Sequence, residues 1–140
     1  MRGEIRFAAS VDYDDDCMFE VVVSQGTIES RSHFYGHTDT WKEFGRRLIA
    51  FPGDITEHVV FETGQRHSNF AYLSLRAYCY DPRGHAAVKV IADNNDADPY
   101  RCKVEFSIPT EVASINKLGQ CLLNWQIKNH AEIVWRAQTS

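Results

Sequence analysis

Two histidines and an aspartate stand close together in the first third of the chain. His33 and His37 are four residues apart, and Asp39 follows two residues later. Imidazole and carboxylate groups bind zinc, and histidines at this spacing share a face when both lie on one helix. Gly36 separates them, however, and a helix-start signal comes only at Thr40. We therefore expect a polar connection between a strand and a helix, without a metal or other cofactor, and retain His33, His37 and Asp39 as the metal candidates.

A run of aspartates is the second group that could do chemistry: Asp12, Asp14, Asp15 and Asp16. Alternate aspartates begin the calcium loop of an EF-hand, but Cys17 replaces the required glycine and Val23 replaces the closing glutamate. An EF-hand is therefore excluded. We interpret the run as a solvated loop or as an attractive surface for a basic partner.

The segment NFAYLSLRAYCYD alternates as a long strand with two different sides. One side is apolar, and the other has tyrosines and an arginine: Tyr72, Arg76, Tyr78 and Tyr80. Tyrosine and arginine contribute much of the binding energy of protein interfaces, so this side and the aspartate run are the candidate partner-binding residues. The alternative is that these tyrosines only cover the reverse side of a sheet and keep their hydroxyl groups in water.

Motifs of known catalytic sites are absent from the sequence, including Gly-x-Ser-x-Gly, the glycine-rich phosphate loop and His-Glu-x-x-His. We therefore expect a protein without enzymatic activity. The alternative is a small-ligand-binding protein or a metal-dependent enzyme that uses His33, His37 and His58 between the sheet and the helices.

Apolar spacing predicts the elements that position these groups. Residues 17–35 alternate with a period of two around a turn, which predicts a β-hairpin. Thr40 and Glu43 have the spacing of a capping box, and the apolar stripe of a helix follows: Trp41, Phe44, Leu48 and Phe51. A second helix opens at Pro109 and Thr110 and has its own apolar stripe: Val112, Ile115, Leu118, Leu122 and Trp125.

The predicted order of elements is β-β-β-α-β-β-β-β-α-(β), which belongs to the α+β class. We expect one domain over residues 1–140. It has a single antiparallel β-sheet of about six to eight strands and two helices. No internal repeat is evident in the sequence.

Composition limits the classes of function. The chain of 140 residues has 15 Lys and Arg against 19 Asp and Glu, so its formal net charge is −4. This balance lacks the basic footprint of a phosphate-backbone binder, so nucleic acid is not expected as a partner. The N-terminal residues have no apolar signal-peptide core, and no apolar run is long enough to span a membrane. We expect a soluble cytoplasmic protein, a monomer or homodimer, without a membrane partner.

Three blocks of the sequence together resemble the small bacterial immunity proteins of the WapI type and related uncharacterised bacterial families: TDTWKEFGRRLIAF, NFAYLSLRAYCYDPRGHAAVKVIAD and YRCKVEFSIPTEVASINKLGQCLLNW. The similarity rests on the hydrophobic pattern, on the Gly-His pair after the long strand, and on the strand-then-helix ending. It implies a non-enzymatic protein that binds and neutralises a partner toxin encoded nearby. The negative charge of the chain also suits a basic toxin.

Overall fold

The computed structural model of the protein describes residues 3–64 and 71–139, in which eight strands and two helices follow the predicted order. The strands are β1 (Glu4–Val11), β2 (Asp16–Gln25), β3 (Ile28–His37), β4 (Val59–Thr63), β5 (Tyr72–Cys79), β6 (Ala86–Asp93), β7 (Lys103–Thr110) and β8 (Glu132–Arg136). The helices are α1 (Lys42–Ile49), between β3 and β4, and α2 (Val112–Leu123), between β7 and β8. The start of the predicted long strand, Asn69 and Phe70, lies outside the described residues.

The strands form two antiparallel sheets of four strands each, so the prediction of a single sheet is wrong. The first sheet has the order β3-β2-β1-β8, and the second sheet has the order β4-β5-β6-β7. Residues 4–8 of β1 pair with residues 132–136 of β8, near the opposite end of the chain. Alternation in a sequence shows that a strand has a buried side, but it does not show which strand is its neighbour. The α+β class is correct because the helices and the antiparallel sheets are both present.

The two halves of the chain have the same connectivity. We call β1–β4 with α1 the first half, and β5–β8 with α2 the second half. In each half three strands form a meander, a helix follows, and a last strand joins the sheet of the other half. β4 therefore pairs with β5, and β8 pairs with β1. The sequence shows no repeat although the architecture is duplicated, because different residues can satisfy the same strand and helix periods.

The two helices cross at a pair of glycines. A Cβ atom on Gly45 would lie 2.8 Å from the backbone nitrogen of Leu123. A Cβ atom on Gly119 would lie 2.7 Å from the carbonyl oxygen of Gly45. Nonbonded contacts of carbon are optimal at about 3.5–4.0 Å, so a side chain at either position would force the helix backbones apart.

Each helix also caps the end of the other. Lys42 of α1 donates a hydrogen bond from Nζ to the carbonyl oxygen of Leu123, the last residue of α2, over 2.6 Å. Asn116 of α2 donates from Nδ2 to the carbonyl oxygens of Leu48 and Phe51, at the end of α1 and just beyond it, over 2.9 and 2.8 Å. The last carbonyl groups of a helix have no partner within that helix, so these side chains satisfy acceptors that would otherwise need water.

An aromatic cluster joins both sheets to α1. Trp41 stacks on Phe61 of the second sheet with ring centroids 4.1 Å apart, and it meets Phe7 of the first sheet edge-on at 5.0 Å. The predicted stripe of the first helix is confirmed because its four residues are all buried. In the second stripe Val112 is partly buried and the other four residues are buried. One buried cluster therefore contains residues of both sheets and both helices.

Both helices begin differently from the prediction. The capping box is wrong, because Thr40 Oγ1 accepts a hydrogen bond from the backbone nitrogen of His37 over 2.8 Å and no side chain caps α1. Pro109 and Thr110 belong to β7 and not to α2. Since β7 is an edge strand, the missing N–H group of the proline can be tolerated there. Neither helix in the described part of the chain is long and apolar enough to cross a membrane.

Candidate functional site

The predicted metal candidates do not form a site. β3 continues through Gly36 to His37, so the expected break between the two histidines is absent. His33 and His37 each contact a carboxylate of β2, with nitrogen–oxygen distances of 2.7 and 3.0 Å. Four residues of a strand span about 13 Å, which is too far for both histidines to bind one ion. Asp39 lies beyond β3, in the turn before α1.

The three histidines of the alternative prediction are not brought together either. His58 precedes β4 of the second sheet, whereas His33 and His37 lie on the first sheet. Within residues 3–64 and 71–139 no group of three or more His, Cys, Asp or Glu side chains could hold a metal ion. A metal site shared by these histidines is therefore a wrong prediction.

The aspartate run forms the turn between β1 and β2 of the first sheet. Asp14 and Asp15 have φ angles of 61° and 65°, in the left-handed region that aspartate tolerates better than most residues. Asp15 Oδ1 lies 2.6 Å from Lys128 Nζ, and the hydrogen bond to Asp15 raises the pKa of the Lys128 ammonium group. The aspartate run lies on the first sheet, whereas the predicted tyrosine side of β5 lies on the second sheet. The two groups of candidate partner-binding residues therefore do not form one continuous surface on a single sheet.

The predicted tyrosine side of β5 lies on the outer face of the second sheet, but its residues differ in exposure. Tyr72 is only 5% exposed, and its hydroxyl group donates a hydrogen bond to Glu62. Tyr78 is half-buried, and its hydroxyl oxygen lies 2.9 Å from Ser107 Oγ. Tyr80, just after the strand, is 53% exposed. The tyrosines accessible to a ligand are therefore those at the end of β5.

Two pairs of rings lie toward that end of the second sheet, and we call the four residues the stacking patch: His58 with Tyr78, and Tyr80 with His85. The rings of Tyr80 and His85 are stacked, with centroids 6.0 Å apart and an interplanar angle of 27°. The ring of His58 lies 6.0 Å from that of Tyr78. The sequence indicated the tyrosines but not the histidine contacts. A signal for His85 was present, because the Asp-Pro-Arg-Gly turn places it opposite Tyr80 in the β5–β6 hairpin.

The turn between β5 and β6 holds His85 in position. The backbone nitrogen of Tyr80 donates to the carbonyl oxygen of His85 over 2.8 Å, which closes the hairpin. Asp81 Oδ1 accepts hydrogen bonds from the backbone nitrogens of Arg83 and His85, and Asp81 Oδ2 contacts the His85 ring nitrogen Nδ1. The hydrogen bond from the His85 side chain is the main cause that lowers the pKa of Asp81. An ionised Asp81 therefore orients the His85 ring beside Tyr80.

Cationic side chains lie beside the stacking patch. The Arg76 guanidinium is 5.3 Å from the centroid of the Tyr78 ring, which is cation–π geometry. Arg76 is opposite Lys89 in the β5–β6 ladder, and Lys89 Nζ is 3.4 Å from Glu105. Lys103 lies on the same outer face in β7 but at the other end of the ladder, level with Tyr72 and not with Tyr78. The face therefore combines rings and cations with carboxylates, since Lys89 is close to Glu105 and both Glu62 and Asp93 lie on the same side.

The acidic group opposite Lys103 in the ladder already has an arginine partner. Asp93, opposite Lys103 in the β6–β7 ladder, lies 2.7 Å from Arg101 Nη2. This hydrogen bond is the main cause that lowers the pKa of Asp93, and the charge of Lys103 contributes to the same shift. The charge of Asp93 is therefore compensated within the protein, which leaves the Lys103 ammonium group available to solvent.

Comparison with known proteins finds similar solved structures but no family. No model of a known protein family matches the chain, and no curated protein matches it. The chain is similar to the solved structure of the plant transcriptional regulator PBF-2, with a TM-score of 0.48 and 11% identity over 93% of this chain and 80% of that one. It is also similar to WHY1 of Arabidopsis thaliana, with a TM-score of 0.46 and 12% identity over 89% and 87% of the two chains. For WHY3 of the same plant the TM-score is 0.44 and the identity 11%, over 92% and 88% of the chains.

These similarities correct two predictions. The similar structures are a plant transcriptional regulator and two proteins of Arabidopsis thaliana, and none of the three is described as an immunity protein. The comparisons thus speak against the predicted toxin neutralisation, and the exclusion of nucleic acid as a partner is withdrawn. The physical error lies in the use of net charge, because a sum over the whole chain does not describe the charge of one face.

Proposed function

We propose that the protein binds single-stranded nucleic acid through the stacking patch and the cations beside it. The observation that carries this proposal is the exposed pair of Tyr80 and His85, whose rings are stacked 6.0 Å apart at the end of the second sheet. Aromatic rings on a sheet bind unpaired bases through their flat faces, whatever the base. Paired bases of a duplex are stacked on each other and leave no free face, so the patch fits a single strand.

The cations of the same face supply the second interaction that nucleic acid needs. Arg76 and Lys89 are neighbours across the β5–β6 ladder beside Tyr78, and Lys103 lies on β7 toward the other end of the same face. Lysine and arginine at such a surface neutralise phosphate groups and release counterions, which makes binding dependent on salt. Few phosphates are contacted by a patch of this size, so a net charge of −4 is compatible with moderate affinity at low salt.

The proposal is tested by fluorescence anisotropy with labelled oligothymidine and oligouridine of about twelve nucleotides. We expect saturable binding at low salt and weakening as the salt concentration rises. Tyr80→Ala removes the exposed ring of the stacked pair, and we expect it to weaken binding about tenfold. Arg76→Met should reduce the salt dependence as well as the affinity.

Tyr35 offers a matched control for Tyr80. It is 83% exposed on the outer face of the first sheet, so Tyr35→Ala removes the same side chain from the other sheet. We expect binding of Tyr35→Ala to oligothymidine to equal that of the wild type. Equal losses in both variants, or no binding of either oligonucleotide by the wild type at low salt, would contradict the proposal.

The cytoplasmic location stays a prediction, which fractionation of cells that express the chain would test.

A further inference from the structure

A cavity of about 320 Å³ lies beside the stacking patch, at the end of the second sheet. It is lined by the stacked pair of Tyr80 and His85 and by Glu111 and Val112 at the start of α2. Gly84 of the β5–β6 turn also lines it, and a Cβ atom on Gly84 would meet no other described residue within 4 Å. Small-ligand sites begin at about 300 Å³, so the cavity has room for one nucleobase next to the rings.

Hydrogen bonds hold the start of α2 against the segment that follows β8. The backbone nitrogen of Glu111 donates to the carbonyl oxygen of Gln138 over 2.9 Å. Thr110 Oγ1 donates to the same carbonyl oxygen over 3.0 Å and accepts from the backbone nitrogen of Gln138 over 3.2 Å. The hydroxyl group of Thr110 therefore has its partners within the protein. The backbone that carries Glu111 is held in place before a ligand binds, which lowers the entropic cost of binding.

The carboxylate of Glu111 differs from the other polar groups of this wall because it is not engaged. Glu111 is the N-cap residue of α2, but its side chain makes no capping hydrogen bond. Within residues 3–64 and 71–139 this half-buried side chain has no ion pair and no hydrogen bond. An ionised carboxylate accepts hydrogen bonds at two oxygens and donates none. A ligand that uses Glu111 must therefore offer hydrogen-bond donors.

We propose that this cavity binds a guanine base of the single strand and that Glu111 selects it, an inference that rests on the nucleic-acid binding proposed above. Unpaired bases are recognised by stacking and by hydrogen bonds to their Watson–Crick edges. Guanine has two adjacent donors on that edge, N1–H and the N2 amino group, which match the two oxygens of a carboxylate. Its flat face stacks on the ring of Tyr80 while its edge contacts Glu111.

The other bases fit a carboxylate less well. Thymine and uracil have one donor, N3–H, between two carbonyl oxygens that a carboxylate repels. Adenine and cytosine have an amino group, but the ring nitrogen beside it is an acceptor and faces the second carboxylate oxygen without a hydrogen. Stacking on the patch is therefore tolerant of the base, whereas the cavity next to it discriminates.

A single guanine in oligothymidine tests the preference without allowing quadruplexes to form. Fluorescence anisotropy compares labelled oligothymidine of about twelve nucleotides with the same oligonucleotide carrying one central guanine. We expect the guanine to raise the affinity about tenfold, as a bidentate contact to a base does. Inosine at the same position keeps N1–H but lacks the amino group, so we expect a gain of only about threefold. The phosphates are the same in all three oligonucleotides.

Variants assign the preference to Glu111. Glu111→Ala should bind the guanine, inosine and all-thymidine oligonucleotides with equal affinity, and it should keep the circular dichroism spectrum of the wild type because no capping hydrogen bond is lost. Glu105→Gln is the matched control, since it removes a carboxylate beside Lys89 and outside the cavity. We expect it to change the affinity for all three oligonucleotides by the same factor. Tyr80→Ala should weaken all three.

The outcomes separate this proposal from the binding of single strands in general. Equal binding of the three oligonucleotides by the wild type would overturn the preference, and so would inosine that binds as tightly as guanine. A guanine preference that persists in Glu111→Ala would overturn the role of this residue. In each of these cases saturable binding of oligothymidine would leave the function of the stacking patch intact, whereas no binding of any of the three would overturn both proposals.

Discussion

The two halves of the chain are alike where they touch each other and different where they face solvent. In both halves a helix approaches its counterpart at a glycine and caps it with a side chain. Both outer faces have paired charges, such as Arg31 with Glu20 at 2.9 Å on the first sheet and Lys89 with Glu105 at 3.4 Å on the second. The outer face of the second sheet has stacked rings with cations beside them. One architecture thus presents two surfaces of different chemistry.

The difference follows from what each group of residues must satisfy. A residue at the helix crossing is constrained by atoms of both halves, so the same requirement for a small side chain arises at Gly45 and Gly119. A residue on an outer face needs only to keep its strand period, since water satisfies its remaining polar groups. The repeated architecture therefore constrains the residue types at the helix crossing, whereas the residues of the two outer faces can differ and can bind different partners.

The largest loss of stability is expected for substitutions at the helix crossing, and these test whether the two halves are equivalent there. Gly45→Ala and Gly119→Ala each place a methyl group against backbone atoms of the other helix, at 2.8 and 2.7 Å. We expect each to lower the free energy of unfolding by about 2–3 kcal/mol, by overpacking. Urea denaturation measures both values.

Gly53→Ala is the control for these two glycines. A Cβ atom there would meet Glu57 Oε2, the end of a flexible side chain, at 3.0 Å. We expect a change of less than about 0.5 kcal/mol. If Gly119→Ala destabilises the protein and Gly45→Ala does not, the crossing is not equivalent in the two halves and the comparison fails at this point.

Removing the side chains by which each helix caps the other should lower the free energy of unfolding by an intermediate amount. The loss should be larger for one cap than for the other. Asn116→Ala removes hydrogen bonds to the carbonyl oxygens of Leu48, Ile49 and Phe51 near the end of α1, and we expect it to lower the free energy of unfolding by about 1–2 kcal/mol. Lys42→Met removes a single hydrogen bond to Leu123 and should have about half that effect. Urea denaturation at neutral pH measures both. A larger effect of Lys42→Met would show that α2 depends more on its cap than α1 does.

The smallest effects distinguish the charged pairs of the two outer faces. Hydrogen bonds from Arg31 and then His33 lower the pKa of Glu20 on the first sheet, and a hydrogen bond from Arg101 lowers the pKa of Asp93 on the second. The Glu20 side chain is 31% exposed and that of Asp93 is 8% exposed. We expect Glu20→Gln to change stability by less than about 0.5 kcal/mol and Asp93→Asn to lower the melting temperature more.

The pH dependence of these two variants follows from the direction of the shifts. A carboxylate whose pKa is lowered by folding stabilises the native state above its unfolded pKa of about 4, and this stabilisation is lost as the pH falls through the folded value. The melting-temperature difference between the wild type and each variant should therefore be present at pH 7 and shrink below about pH 4. A difference for Asp93→Asn that persists at pH 3 would show that its origin is packing and not charge.

The order of the strands and helices, and the side of each helix that is buried, could be predicted from the sequence alone. These features are local, because the apolar residues of one strand recur with a period of two and those of one helix with a period of about 3.6 residues. The stripe of Trp41, Phe44, Leu48 and Phe51 is fully buried for this reason. The helix starts were less well predicted, since Thr40 had a second possible partner, the backbone nitrogen of His37, that the capping-box pattern does not consider.

The division of the strands into two sheets, and the contacts between side chains of distant segments, could not be predicted from the sequence and depend on the tertiary structure. The pairing of β1 with β8 joins the two ends of the chain, and the glycine crossing joins residues 45 and 119. Tyr80 and His85 could be paired from their turn, but the contact of His58 with Tyr78 could not. The net charge of the chain gave a wrong prediction for the same reason, because it does not tell on which face of the molecule the charged side chains lie. Contacts between distant segments depend on how whole elements pack, and no local period in the sequence records that packing.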